Sequence, residues 1–154
     1  MSGGYIADTS VFVAAEQRRQ LGEPPEGEAR ISVATLTELI FGVRRAPRGQ
    51  LRTLREATLA RARAFIALPY DEPVAERLGE LLSAARSASR RAGAMDAIIA
   101  ATALAHGLVV WTKDDASMPC RTHAGPASAS RLTLAPPVCV VDVHTALERR
   151  GDPR

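Results

Sequence analysis

The sequence predicts an α/β protein with a mostly parallel central sheet covered by helices on both faces. Two patterns lead there. Short apolar runs of β-strand character alternate with longer segments whose apolar residues recur at helical spacing, and that alternation builds parallel sheets through helical crossovers. The second pattern is bulk composition: 154 residues, 46% hydrophobic and 24% charged, suit a single domain over residues 1–154 around one core.

Tyr5-Ile6-Ala7 reads as the first strand, and Thr9 onward as the first helix. Leu21 to Gly27, dense in Gly, Pro and Glu, is a loop. Ile31-Ser32-Val33 reads as the second strand, and Thr35 opens a helix through Leu39, Ile40 and Val43 that closes before Pro47. Gly49 to Ala64 is an arginine-studded helix whose narrow apolar face is Leu51, Leu54, Leu59 and Ala62.

A third strand falls within Phe65–Tyr70, shortened by Pro69. Asp71 caps the next helix, which runs through Val74, Leu78, Leu81 and Leu82 toward Arg91 until Gly93 breaks it. Met95 to His106 is an alanine-rich helix with Gly107 at the usual stop position. Leu108 to Trp111 is a buried-type strand, Ala116 to Pro137 a long loop, Val138 to Val141 a last strand and His144 to Arg150 a last partial helix.

Composition excludes several classes. Cys120 and Cys139 are too few for a disulfide framework or a zinc site. No apolar run reaches the ~20 residues of a membrane helix and no secretory leader pattern precedes Tyr5, so the expected location is the cytoplasm, with no membrane partner. The net charge of +3 is carried almost wholly by arginine, Lys113 being the only lysine.

The acids are the informative feature. Asp8 follows the first strand, Glu38 lies in the helix after the second, Asp96 opens the helix that feeds the Leu108–Trp111 strand, and Asp114 follows that strand. In a parallel sheet those strand ends share one edge, where ligands of open α/β sheets bind. Each acid alone has a plainer role. Asp8 is a good N-cap, Thr35-x-x-Glu38 matches a capping box, Asp96 suits the positive end of a helix, and Asp114 or Asp115 suits a turn. Four acids on one edge exceed what capping requires. Carboxylates brought within ~4–6 Å repel unless a cation neutralises them, and an all-oxygen set suits Mg²⁺ or Mn²⁺.

Four stretches carry a resemblance. They are Ile6-Ala7-Asp8-Thr9-Ser10, Ser32-Val33-Ala34-Thr35-Leu36-Thr37-Glu38-Leu39, Met95-Asp96-Ala97-Ile98-Ile99-Ala100-Ala101-Thr102-Ala103 and Thr112-Lys113-Asp114-Asp115. In this order they resemble the motifs of the PIN domain family, most closely its VapC-type toxins from type II toxin–antitoxin pairs. The resemblance implies a three-layer α/β/α fold, a Mg²⁺- or Mn²⁺-dependent endoribonuclease activity, an RNA substrate, a cognate antitoxin and a homodimer. It assigns Asp8 and Asp96 as main metal ligands. Glu38 and Asp114 complete the acidic cluster, directly or through water, and Ser10 and Thr112 orient carboxylates. Where the family often follows its fourth acid with an aromatic residue, this chain has Ala116-Ser117-Met118, which leaves the fourth acid to Asp114 or Asp115.

Two further expectations concern surfaces. Arg90 and Arg91 precede Asp96 by a few residues and suit a positive rim for RNA beside the acids, since guanidinium binds phosphate in pairs of parallel hydrogen bonds. Residues 36–66 suit an apolar groove for an antitoxin segment. The alternatives are a non-catalytic RNA- or partner-binding module of the same fold, and aspartate-based phosphotransfer. Haloacid-dehalogenase-type phosphatases need a second Asp where Ser10 stands, and receiver domains need paired acids after the first strand.

Overall fold

A computed structural model describes residues 3–87, 93–113 and 139–141. The elements run β1 (Tyr5–Ala7), α1 (Thr9–Glu16), β2 (Ala29–Ser32), α2 (Val33–Arg45), α3 (Gln50–Ala62), β3 (Ile66–Leu68), α4 (Glu72–Ser87), α5 (Ala94–Ala105), β4 (Val109–Thr112) and β5 (Cys139–Val141). The sheet has the order β3-β2-β1-β4-β5. The first four strands are parallel, and β5 joins β4 antiparallel. From β1 the chain moves outward to β2 and β3, then returns to place β4 on the other side of β1. The strand order therefore reverses between β1 and β4, the position where such sheets open a crevice at their carboxyl ends.

β1 is buried along its whole length, as expected of a strand covered on both faces. Its alternating side chains feed two cores. Ile6 joins Ala34, Leu68, Ile99, Ala103, Leu104, Leu108 and Val110 on the α5 side. Tyr5 and Ala7 join Phe12, Ile31, Leu39, Leu59 and Ala62 on the side of α1 and α3. Two helical layers thus sandwich the sheet, the three-layer α/β/α arrangement. Among the described residues no helix is long and apolar enough to cross a membrane.

Several boundaries differ from expectation. β2 ends at Ser32 rather than Val33, because Ser32 caps α2 by accepting the Ala34 N–H at 3.2 Å. Thr35, expected to open the helix, is instead fully buried within its first turn. In α3 the expected apolar face is only half used. Leu59 and Ala62 are buried with Thr58, whereas Leu51 and Leu54 are 41% and 45% exposed. Leu51 shares a helical face with Thr58 and Ala62, so its exposure reflects position along the helix, whose first half projects past the core. Asp71 accepts the Val74 N–H at 3.3 Å at the start of α4, and Gly107, at φ +64°, ends α5, both as expected. The expected 116–137 loop, the 144–150 helix and the end of α4 toward Arg91 lie outside the described residues.

Candidate active site at the carboxyl edge of the sheet

Asp8 sits where β1 turns into α1. Its backbone N–H donates to Trp111 O at 2.9 Å, which carries the β1–β4 pairing one residue beyond the strand and pins this junction at the crevice. The side chain does cap α1, but its bond from the Ser10 N–H is long at 3.4 Å. Two hydroxyls hold it more closely: Ser10 Oγ at 2.7 Å and Thr112 Oγ1 at 2.9 Å, both to Oδ2. Ser10 Oγ accepts the Lys113 N–H at 2.9 Å, which leaves its own proton for the carboxylate, and it lies 3.0 Å from Thr112 Oγ1. Asp8 and Thr112 are only 8% and 9% exposed. Removing a carboxylate from water is costly unless donors replace the lost hydration, and three donors converge here on one oxygen. None of the described hydrogen bonds engages Oδ1.

Glu38 lies in the second turn of α2, half-buried, and its Oε2 accepts the Thr9 hydroxyl at 2.5 Å. The capping-box reading of Thr35-x-x-Glu38 is therefore replaced: Ser32 caps the helix, and Glu38 reaches across to the residue beside Asp8. Asp96 is exposed in the first turn of α5. Because α5 leads into β4, it runs antiparallel to the strands and its first turn lies at their carboxyl edge. The start of α2 is tied to α5 by the buried contact Ser32 Oγ to Thr102 Oγ1, 3.2 Å. Asp8, Glu38, Asp96, Ser10 and Thr112 thus share the predicted edge. Asp114 and Asp115 lie outside the described residues, as do Arg90 and Arg91.

Among the described residues, no three Asp, Glu, His or Cys side chains group closely enough to cage an ion by themselves. The donor chemistry nevertheless fits a hard divalent cation. It is all oxygen, Asp8 keeps Oδ1 clear of described donors, and Mg²⁺ commonly takes one or two carboxylates and retains several waters.

Sequence reasoning missed two contacts. Thr9 as the partner of Glu38 was signalled only by the hydroxyl pair after Asp8. The Ser32–Thr102 link was signalled only by hydroxyls inside otherwise apolar motifs. The arginines of α2 and α3 are partly structural. Arg55 Nη1 donates to Gly42 O at 2.7 Å, Arg52 Nη2 to Arg44 O at 3.3 Å, and the Arg45 guanidinium lies 5.6 Å from the Phe41 ring centre.

Known proteins resemble this chain in sequence and in fold. The PIN domain family model matches residues 5–118. Ribonuclease VapC4 of Mycobacterium tuberculosis is 40% identical over 117 residues, 74% of this chain and 90% of the relative. Ribonuclease VapC5 of the same organism is 38% identical over 112 residues, 71% of this chain and 82% of the relative. Among solved structures, a member of the VapBC family of toxin–antitoxin systems, VapBC-5 from M. tuberculosis, superposes with a TM-score of 0.63 at 32% identity. That match covers 73% of this chain and 86% of the other.

Proposed function

This chain belongs to the PIN domain family, beside the VapC ribonucleases, and on that premise we propose that it is a Mg²⁺- or Mn²⁺-dependent endoribonuclease, the toxin of a type II toxin–antitoxin pair. The observation that carries the reading is Asp8: a buried carboxylate at the strand-order reversal, held on one oxygen by Ser10 and Thr112 and linked through Thr9 to Glu38. A cap alone needs no such surroundings.

Asp8 and Asp96 would hold the cation, with Glu38 and Asp114 or Asp115 completing the set directly or through water. When bound, the metal supplies an activated water and stabilises charge on the phosphodiester undergoing cleavage. The protein's own part is orientation. Ser10 and Thr112 fix Asp8 in one rotamer, so little conformational entropy remains to be lost on ligation. Thr9 holds Glu38 toward the same edge. Arg90 and Arg91 offset the repulsion between the acids and an approaching phosphate.

The antitoxin groove has support in exposed apolar side chains. Phe41 of α2 is 60% exposed, and Ile40, Leu51 and Leu54 are exposed on α2 and α3. The same reading takes the protein to be a cytoplasmic homodimer. Its test is cleavage of a single-stranded RNA by the purified chain in Mg²⁺ or Mn²⁺ and in EDTA. Cleavage only with the divalent ion supports the proposal; none in any metal, from folded protein, rejects it.

A further inference from the structure

The helices at the site begin in different ways. α1 and α2 start with side-chain caps, Asp8 and Ser32. α5, which carries Asp96 in its first turn, starts with Gly93, which makes no side-chain cap bond. The N-cap position favours Ser, Thr, Asp or Asn, with Gly close behind. Nor does the backbone require glycine, since φ −58° and ψ 142° at Gly93 are open to any L-residue. Glycine also adds to the chain entropy lost on folding. Backbone strain does not account for it, and as a cap Gly is no better than Ser or Asp.

Space does. A Cβ built on Gly93 would stand 2.6 Å from Asp96 Oδ2 and 3.4 Å from its Cγ. Among the described residues it meets nothing else within 4 Å, chain neighbours aside. Gly93 is exposed, so any other side chain would otherwise have room. An added methyl therefore collides with the one carboxylate of α5, which sits at the end of a flexible side chain and yields by turning away.

We infer that Gly93 is a positioning residue for the metal site: its missing side chain leaves the Asp96 carboxylate the place from which it serves the acidic edge. This rests on the reading of Asp96 as a metal ligand. A side chain at position 93 displaces the carboxylate and weakens the divalent ion while the fold survives.

The test compares full-length parent, Gly93→Ala, Gly93→Ser, Asp96→Ala and Gly93→Ala/Asp96→Ala. Mn²⁺ affinity is measured by electron paramagnetic resonance of the free ion, and thermal unfolding in EDTA. Gly93→Ser restores a capping hydroxyl yet keeps the obstructing Cβ, so it carries the test even where Gly93→Ala folds poorly. Both single variants at position 93 should bind Mn²⁺ roughly tenfold more weakly, the scale of losing a group that orients a ligand. Gly93→Ser should unfold within about 3 °C of the parent. In the Asp96→Ala background, where the collision is gone, Gly93→Ala should cause no further loss of affinity. Parental Mn²⁺ affinity in both position-93 variants, or the same loss from Gly93→Ala with and without Asp96, overturns the inference and leaves the metal reading standing. Parental affinity in Asp96→Ala overturns both.

Discussion

Replacing Thr102 with valine removes one hydroxyl from a fully buried chain of hydrogen bonds. Thr102 Oγ1 donates to Ile98 O at 2.7 Å, so toward Ser32 Oγ, at 3.2 Å, it acts as acceptor. Ser32 Oγ in turn accepts the Ala34 N–H. Both side chains are inaccessible to solvent. In Thr102→Val the Ser32 proton loses its partner where no water reaches it, a cost of about 1–3 kcal/mol. Ser32→Ala loses the cap of α2, about 0.5–2 kcal/mol, but leaves Thr102 satisfied by Ile98. The double variant lacks the stranded proton altogether. It should therefore be only about as unstable as Ser32→Ala, with a coupling energy of roughly 1–3 kcal/mol, the whole cost of Thr102→Val. Urea unfolding in EDTA, with unchanged m-values, measures this. Additivity within ~0.5 kcal/mol would instead show that the two hydroxyls are neighbours without a shared proton.

Other predictions address the remaining surfaces. Asp71→Ala should cost about 0.5–2 kcal/mol in chemical denaturation, as a lost cap does, and leave RNA cleavage unchanged; a loss of cleavage in folded protein would give Asp71 a role the account denies it. Replacing Arg90 and Arg91 together by Gln should weaken RNA binding and lower its log–log salt slope by roughly 0.7 per lost contact, with Mn²⁺ affinity intact. Parental affinity and slope would move the substrate elsewhere. Phe41→Asp should leave the unfolding temperature within a few degrees and abolish capture by the co-expressed antitoxin; undiminished capture rejects the groove.

How far the sequence reaches depends on the distance over which each feature is decided. Asp8 was legible because strand, acid and two hydroxyls are contiguous, and the parallel sheet because strand and helix periods alternate without interruption. The α2 cap was not. Ser32 and Thr35 are both hydroxyl residues before a helix, and the choice is linked to Thr102, distant in sequence. Glu38 looked like half of a capping box because its true partner, Thr9, is 29 residues away and arrives only through β1–β2 pairing. Leu51 and Leu54 showed the limit of periodicity, which gives the direction of a helix face but not how far along it the core extends.

The proposed activity requires that the acidic edge, organised by Asp8, act through a divalent metal. Cleavage of a single-stranded RNA by the parent and by Asp8→Asn and Asp96→Asn, in Mn²⁺ and with folding checked by circular dichroism, tests it most directly. Both variants should fold and retain no metal-dependent cleavage, since an amide is neutral and a poorer ligand. A folded Asp8→Asn or Asp96→Asn protein that cuts RNA at the parental rate would contradict it.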